Sequence, residues 1–279
     1  MKTLARLAPN GQGYLEDLKT LAQAHQGKCV SLLLYGSAAS GGYSGTVSDV
    51  DVMVVMDDSV SREGRKAFRQ EVEALEMKHG LLTADFWQRS PRQRAVDKLL
   101  GFFFTTFVVP RAAFLKGDAA GLFGLDRARG ALATRLVFAN ILWSSVTFWG
   151  EDLRPAVQGH PITRTDLLKS LHQNLSFALM SALLLPVRPD ATKYAMMAVK
   201  KSLHATYYCY GLPPVPVEDK VEHFIRRAPR LAPLRELLEL RSTYRPAPGF
   251  VLRSPALVTA LHGLALKDCR FPLPLRLGG

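Results

Sequence analysis

Two aspartates, Asp49 and Asp51, stand one residue apart at the start of an otherwise apolar run, residues 50–55. In a strand, residues i and i+2 point the same way, so both carboxylates share one face. Val50, Val52 and Val54 point to the other face, toward a core. Two carboxylates side by side repel, and burying them is costly unless something positive lies between. A divalent cation meets that need. Magnesium prefers oxygen ligands and bridges carboxylates to substrate phosphates. A solvated strand end with turn-forming aspartates is the plain alternative.

Two further features narrow the choice. Gly36-Ser37 ends the preceding apolar run, with eleven residues between Ser37 and Asp49. The glycine lets backbone approach a ligand closely. Ser37, Ala38 and Ala39 can open a short helix, whose free N–H groups suit phosphate oxygens. Asp85 lies in a third apolar segment, residues 81–87. If that strand neighbours the first pair, three carboxylates converge and can hold two metal ions about 4 Å apart. One ion would orient a triphosphate. The other would activate an acceptor hydroxyl, with Asp85 as ligand and general base. A strand-end acid facing water is the alternative for Asp85.

The elements that must position these groups follow from periodicity. Residues 14–25 have a helical spacing at Leu15, Leu18, Leu21 and Ala22. Strands are expected at 30–35, 50–55, 81–87 and 102–109, with a fifth at 112–115 after Pro110-Arg111. Residues 61–79 read as a helix that Ser61 caps and Gly80 ends. From about residue 121 the strand signal stops. Helical segments are expected at 128–150, 163–185, 191–210, 217–227, 231–244 and 255–267. The expected architecture is α+β: a small mixed sheet with flanking helices over 1–120, then an all-helical domain over 121–279.

Composition sets the limits. The 279 residues are 48% hydrophobic, enough for a sizeable core. Met1 to Leu21 carries scattered charge and no apolar leader core, and the apolar stretches 175–187 and 136–150 are shorter than the roughly 20 residues of a spanning helix. Cys29, Cys209 and Cys269 are far apart, which argues against a disulfide framework or zinc site. A cytoplasmic protein without membrane contact is expected. The net charge is +12. Residues 1–120 carry 15 basic against 13 acidic groups; residues 121–279 carry 21 against 11. A basic half favours an anionic partner, although solubility alone would also explain it.

The spacing GS-x11-DVD between two apolar strands resembles the signature of the nucleotidyltransferase superfamily related to DNA polymerase β. Gly36, Ser37, Asp49 and Asp51 match it directly, and Asp85 matches by order. Residues 114–118 are similar to the segment that often closes that domain. The resemblance covers residues 14–118. It implies transfer of a nucleoside monophosphate from an NTP, ATP foremost, to a hydroxyl acceptor with release of pyrophosphate. It implies Asp49, Asp51 and Asp85 as ligands of two magnesium ions, with manganese as a substitute, and Gly36 and Ser37 against the β- and γ-phosphates. Many bacterial members carry Arg-Gly where this chain has Ser40-Gly41. Phosphate charge would then fall to metal, backbone N–H groups, or basic residues of the helical half.

Family members often close the cleft with a helical domain, and the layout resembles small-molecule nucleotidyltransferases, including those modifying aminoglycosides. Polycationic aminoglycosides suit an acidic pocket, so the basic half disfavours them unless Glu218, Asp219 and Glu222 line the cleft. An anionic acceptor or RNA fits better. Lys193 and Lys200 share a helix face with Lys201 nearby, while Tyr194, Tyr207 and Tyr208 read as core or as base-stacking rings. His172, His204 and His262 read as core or rim residues. The rival reading is a catalytically silent descendant that binds nucleotide, RNA or a protein partner.

Overall fold

The structure is a computed structural model that describes residues 7–40, 50–81, 106–117, 119–122, 134–188 and 190–277. Two compact units divide the chain: one comprises residues 1–125 and 144–158, the other residues 126–143 and 159–277.

The first unit is built on a mixed four-stranded sheet. Its strands are β1 (Cys29–Tyr35), β2 (Asp51–Met56), β3 (Thr106–Pro110) and β4 (Val146–Gly150), in the order β3-β2-β1-β4. β1 is antiparallel to β2 and β4, and β2 is parallel to β3. Helices α1 (Pro9–Ala24) and α3 (Arg62–Lys78) flank it. Tyr14, Leu15 and Leu18 of α1 and Phe68 and Val72 of α3 join Leu32, Leu34, Val52 and Val54 in one apolar cluster. The valine alternation therefore places Val50, Val52 and Val54 inward, as the period of two requires.

Local chemistry sets the ends of α3. The Ser61 hydroxyl accepts from Gly64 N–H at 3.0 Å, a side-chain N-cap. Gly80 takes φ +66 just past the helix end. Two short helices, α2 (Gly36–Ser40) and α4 (Arg111–Lys116), follow β1 and β3, and α5 (Ala119–Leu122) comes next.

Three expectations are corrected. Residues 112–115 are helical, not a strand. Ala112 N–H donates to Asp58 Oδ1 at 2.9 Å and Gly117 turns left-handed at φ +62, so both ends of α4 are fixed. Residues 128–150 are not one helix: α6 (Arg135–Ser144) ends and β4 follows. The β-branched and aromatic run Val146-Thr-Phe-Trp149 suits a strand, and β1 offers its free edge, pairing Leu32 with Trp149. This pairing returns residues 144–158 to the first unit. The last helix begins at Pro248, not near Pro255, which lies inside it. Pro255 cannot donate to Val251 O, and the Ser254 hydroxyl donates there instead at 2.8 Å. The expected strand at 81–87 and the first part of that at 102–109 lie outside the described residues.

The second unit is built from α6, α7 (Arg164–Leu184), α8 (Ala191–Cys209), α9 (Val217–Arg227), α10 (Leu234–Ser242) and α11 (Pro248–Asp268). A capping box starts α7: the Thr163 hydroxyl accepts from Asp166 N–H, and Asp166 Oδ2 accepts from Thr163 N–H at 2.9 Å. Among the described residues, α11 alone is long and apolar enough to cross a membrane by length and composition. Its Phe250, Val251, Leu257, Val258, Leu261 and Ala265 instead pack into this unit's core.

Phe68 is 1% exposed at the centre of the first unit's cluster. Phe68→Ala is expected to destabilise that unit by about 3–5 kcal/mol, measured as a lower urea midpoint of its unfolding transition.

Candidate active site

Asp51 opens β2 directly opposite Tyr35, the last residue of β1. Cross-strand partners point to the same face, so Asp51 and Tyr35 lie side by side, away from α1 and α3. Tyr35 in turn stacks on Phe107 of β3, ring centroids 6.5 Å apart at 27°. Asp51 keeps part of its surface in solvent.

Gly36 follows Tyr35 at φ +69, a left-handed conformation that side chains disfavour. A Cβ there would also collide with Oδ2 of Asp51. Backbone angle favours glycine here, and a side chain would in addition displace the Asp51 carboxylate from its place. The missing side chain is what allows the backbone after β1 to lie against the carboxylate that begins β2. Ser37, on the first turn of α2, is partly exposed. Asp49, Asp85 and the 41–49 spacer lie outside the described residues, so the structure places Gly36, Ser37 and Asp51 of the five predicted site residues and brings Gly36 and Asp51 together.

Beneath this end of the sheet, on the helix side, lies a polar layer the sequence reading did not select. The Thr106 hydroxyl donates to Glu76 Oε1 at 2.6 Å. The Tyr14 hydroxyl is 3.1 Å from Thr106 Oγ1 and donates to Glu76 Oε1 at 3.5 Å. Tyr14 is fully buried and Glu76 is 4% exposed. Burial first, then the charge of Glu76 and more weakly that of Asp51, push the Tyr14 phenol well above its ordinary pKa. It is therefore a permanent hydroxyl donor at any working pH. The available signal was the spacing Phe68, Val72, Glu76: an acid continuing the apolar stripe of α3 at intervals of four.

The donor set suits a hard cation. Asp51 offers carboxylate oxygens that keep part of their surface in solvent, the donor type such a cation takes. Among the described residues no group of three acids, histidines or cysteines could hold a metal; Asp49 and Asp85 are not among them.

Residues 15–100 match the family model described as a nucleotidyltransferase domain. No curated protein matches in sequence. Among solved structures, the spectinomycin adenyltransferase AAD(9) from Enterococcus faecialis, crystallised with ATP and spectinomycin, is similar over 91% of this chain and 98% of its own. The TM-score is 0.52 at 9% sequence identity. The shared feature is the fold: a mixed sheet with flanking helices and a helical C-terminal region.

Gly36→Ala adds a methyl group at a left-handed position that also faces the Asp51 carboxylate. It is expected to cost at least about 1–2 kcal/mol, read as a fall in the denaturation midpoint of the first unit. Gly80→Ala, at φ +66 with open space around it, isolates the backbone contribution for comparison.

Proposed function

We propose that this protein transfers a nucleoside monophosphate from an NTP, ATP foremost, to a hydroxyl acceptor, releasing pyrophosphate. The observation that carries the reading is the close approach of Gly36 to Asp51 across β1 and β2, inside the segment that matches a nucleotidyltransferase domain. The acceptor oxygen forms a bond to the α-phosphorus, and the bond from that phosphorus to the pyrophosphate oxygen breaks. Asp85 takes the hydroxyl proton. Gly36, without a side chain, admits the β- and γ-phosphates close to its backbone, and the Ser37 hydroxyl is available to donate to them. Asp49, Asp51 and Asp85 would hold two magnesium ions, or manganese in their place, which when bound neutralise triphosphate charge and acidify the acceptor hydroxyl.

The acceptor follows from charge. Residues 121–279 carry ten more basic than acidic groups, which suits a neutral or anionic hydroxyl compound, or RNA, better than a polycationic aminoglycoside. A cytoplasmic setting supports the reading: Cys29, Cys209 and Cys269 are free thiols, all buried, as a reducing compartment with abundant ATP allows.

Magnesium-dependent pyrophosphate release from ATP, assayed with candidate acceptors, tests the proposal. Asp49→Asn and Asp51→Asn are each expected to lower it by at least about 100-fold, with circular dichroism and melting temperature unchanged. Full activity in the double variant would end the assignment. ATP binding without pyrophosphate release for any acceptor would favour the silent binding protein.

A further inference from the structure

In the second unit, α8, α9 and α10 gather basic groups around one buried ammonium. Lys220 of α9 is 2% exposed. Its Nζ donates to His204 Nδ1 of α8 at 2.7 Å. It also stands over the ring faces of Trp143 and Tyr207, 5.4 and 5.6 Å from their centroids. Lys200, one turn before His204 on α8, and Arg241 of α10 add their fields to both Lys220 and His204. Arg241 is partly buried, and its guanidinium makes no hydrogen bond or ion pair among the described residues. The carboxylate that acts on Lys220 and Arg241 is that of Glu218, which is exposed.

A buried ammonium surrounded by like charge, with its carboxylate in solvent, is a costly arrangement. It relaxes in one of two ways: the lysine gives up its proton, or an anion enters. Burial, then Lys200 and Arg241, lower the Lys220 pKa to about 7. Burial and the same cations hold His204 well below its ordinary value, so its ring is neutral and Nδ1 accepts. Near neutral pH the ammonium is therefore balanced between the two states, and an arriving anion would decide between them.

We propose that Lys220, Arg241, Lys200 and His204 form an oxyanion site within the helical unit that takes a phosphoryl group. The Lys220 ammonium and the Arg241 guanidinium together match the charge of a phosphoryl dianion. A guanidinium fork and an ammonium are the donor types from which phosphoryl oxygens accept. The two aromatic faces form an apolar wall that strengthens each of these contacts. The site does not depend on nucleotidyl transfer by the first unit. Anion binding requires the Lys220 proton, so affinity is full below about pH 7 and falls as pH rises above it.

The test is calorimetric titration of the full chain without divalent metal, using inorganic phosphate, pyrophosphate and ATP in turn. At least one is expected to bind. Lys220→Met and Arg241→Gln should each weaken it tenfold or more, while Asp51→Asn should not. Between pH 6 and pH 8 the ratio of wild-type to Lys220→Met affinity should fall several-fold, a ratio in which the titration of the probe itself cancels. A stronger response to pyrophosphate and ATP than to phosphate assigns the site to a nucleotide tail; equal responses assign it to a single phosphate on another ligand. No binding of any of the three, or binding unchanged in both variants, overturns the proposal. Arg241 is partly exposed, so Arg241→Gln remains informative even if Lys220→Met fails to fold. Loss of pyrophosphate release in Asp51→Asn with anion binding retained separates this site from the first unit's chemistry.

Discussion

The backbone of Gly36 lies against the carboxylate of Asp51, and the first unit's design depends on that approach. It is set by the antiparallel register that pairs Tyr35 with Asp51. A slip of one residue would exchange the faces of β2 and carry Asp51 to the helix face that Val52 and Val54 now fill. The apolar face of β2 packs on Tyr14, Leu18, Phe68 and Val72, and so holds the carboxylate in place by refusing every other register. Core packing and site geometry are one constraint here.

The polar layer of Tyr14, Thr106 and Glu76 shows how the same sheet end tolerates an acid inside. Glu76 is buried, yet Thr106 donates to it at 2.6 Å and the Tyr14 hydroxyl lies within reach. A carboxylate so placed also contributes negative potential at the end of the sheet where Asp51 stands, the sign that attracts a cation. The helical unit carries the opposite case. Lys220 is buried among cations, and neutral His204 and two aromatic faces are its near neighbours. In the first unit hydroxyl donors meet a buried carboxylate; in the second a neutral imidazole and aromatic rings meet a buried ammonium.

Much of this was legible from local patterns. The period-two valines gave the face of β2, Ser61 and Gly80 bounded α3 to within a residue, and Gly36-Ser37 with the Asp51 run matched a known signature. Elements that failed did so where long-range pairing overrode local preference. β4 sits at the end of a long apolar stretch of helical period; its own β-branched and aromatic residues suit a strand, and the free edge of β1 supplies the partner. α4 is a helix because Asp58, far away in sequence, accepts the Ala112 N–H. α11 runs through Pro255 because a serine hydroxyl takes over the carbonyl the proline cannot serve.

By itself, then, the sequence determined which residues can do chemistry and which face of each strand they share, because side-chain type and the alternation of a strand are local properties. Tertiary structure alone decided that Gly36 touches Asp51, that Glu76 lies inside rather than on a solvated helix face, and that Lys220 meets His204. Those are contacts between segments up to 62 residues apart, as for Tyr14 and Glu76. No local period encodes them; they follow from the register of strands and the packing of helices against one another.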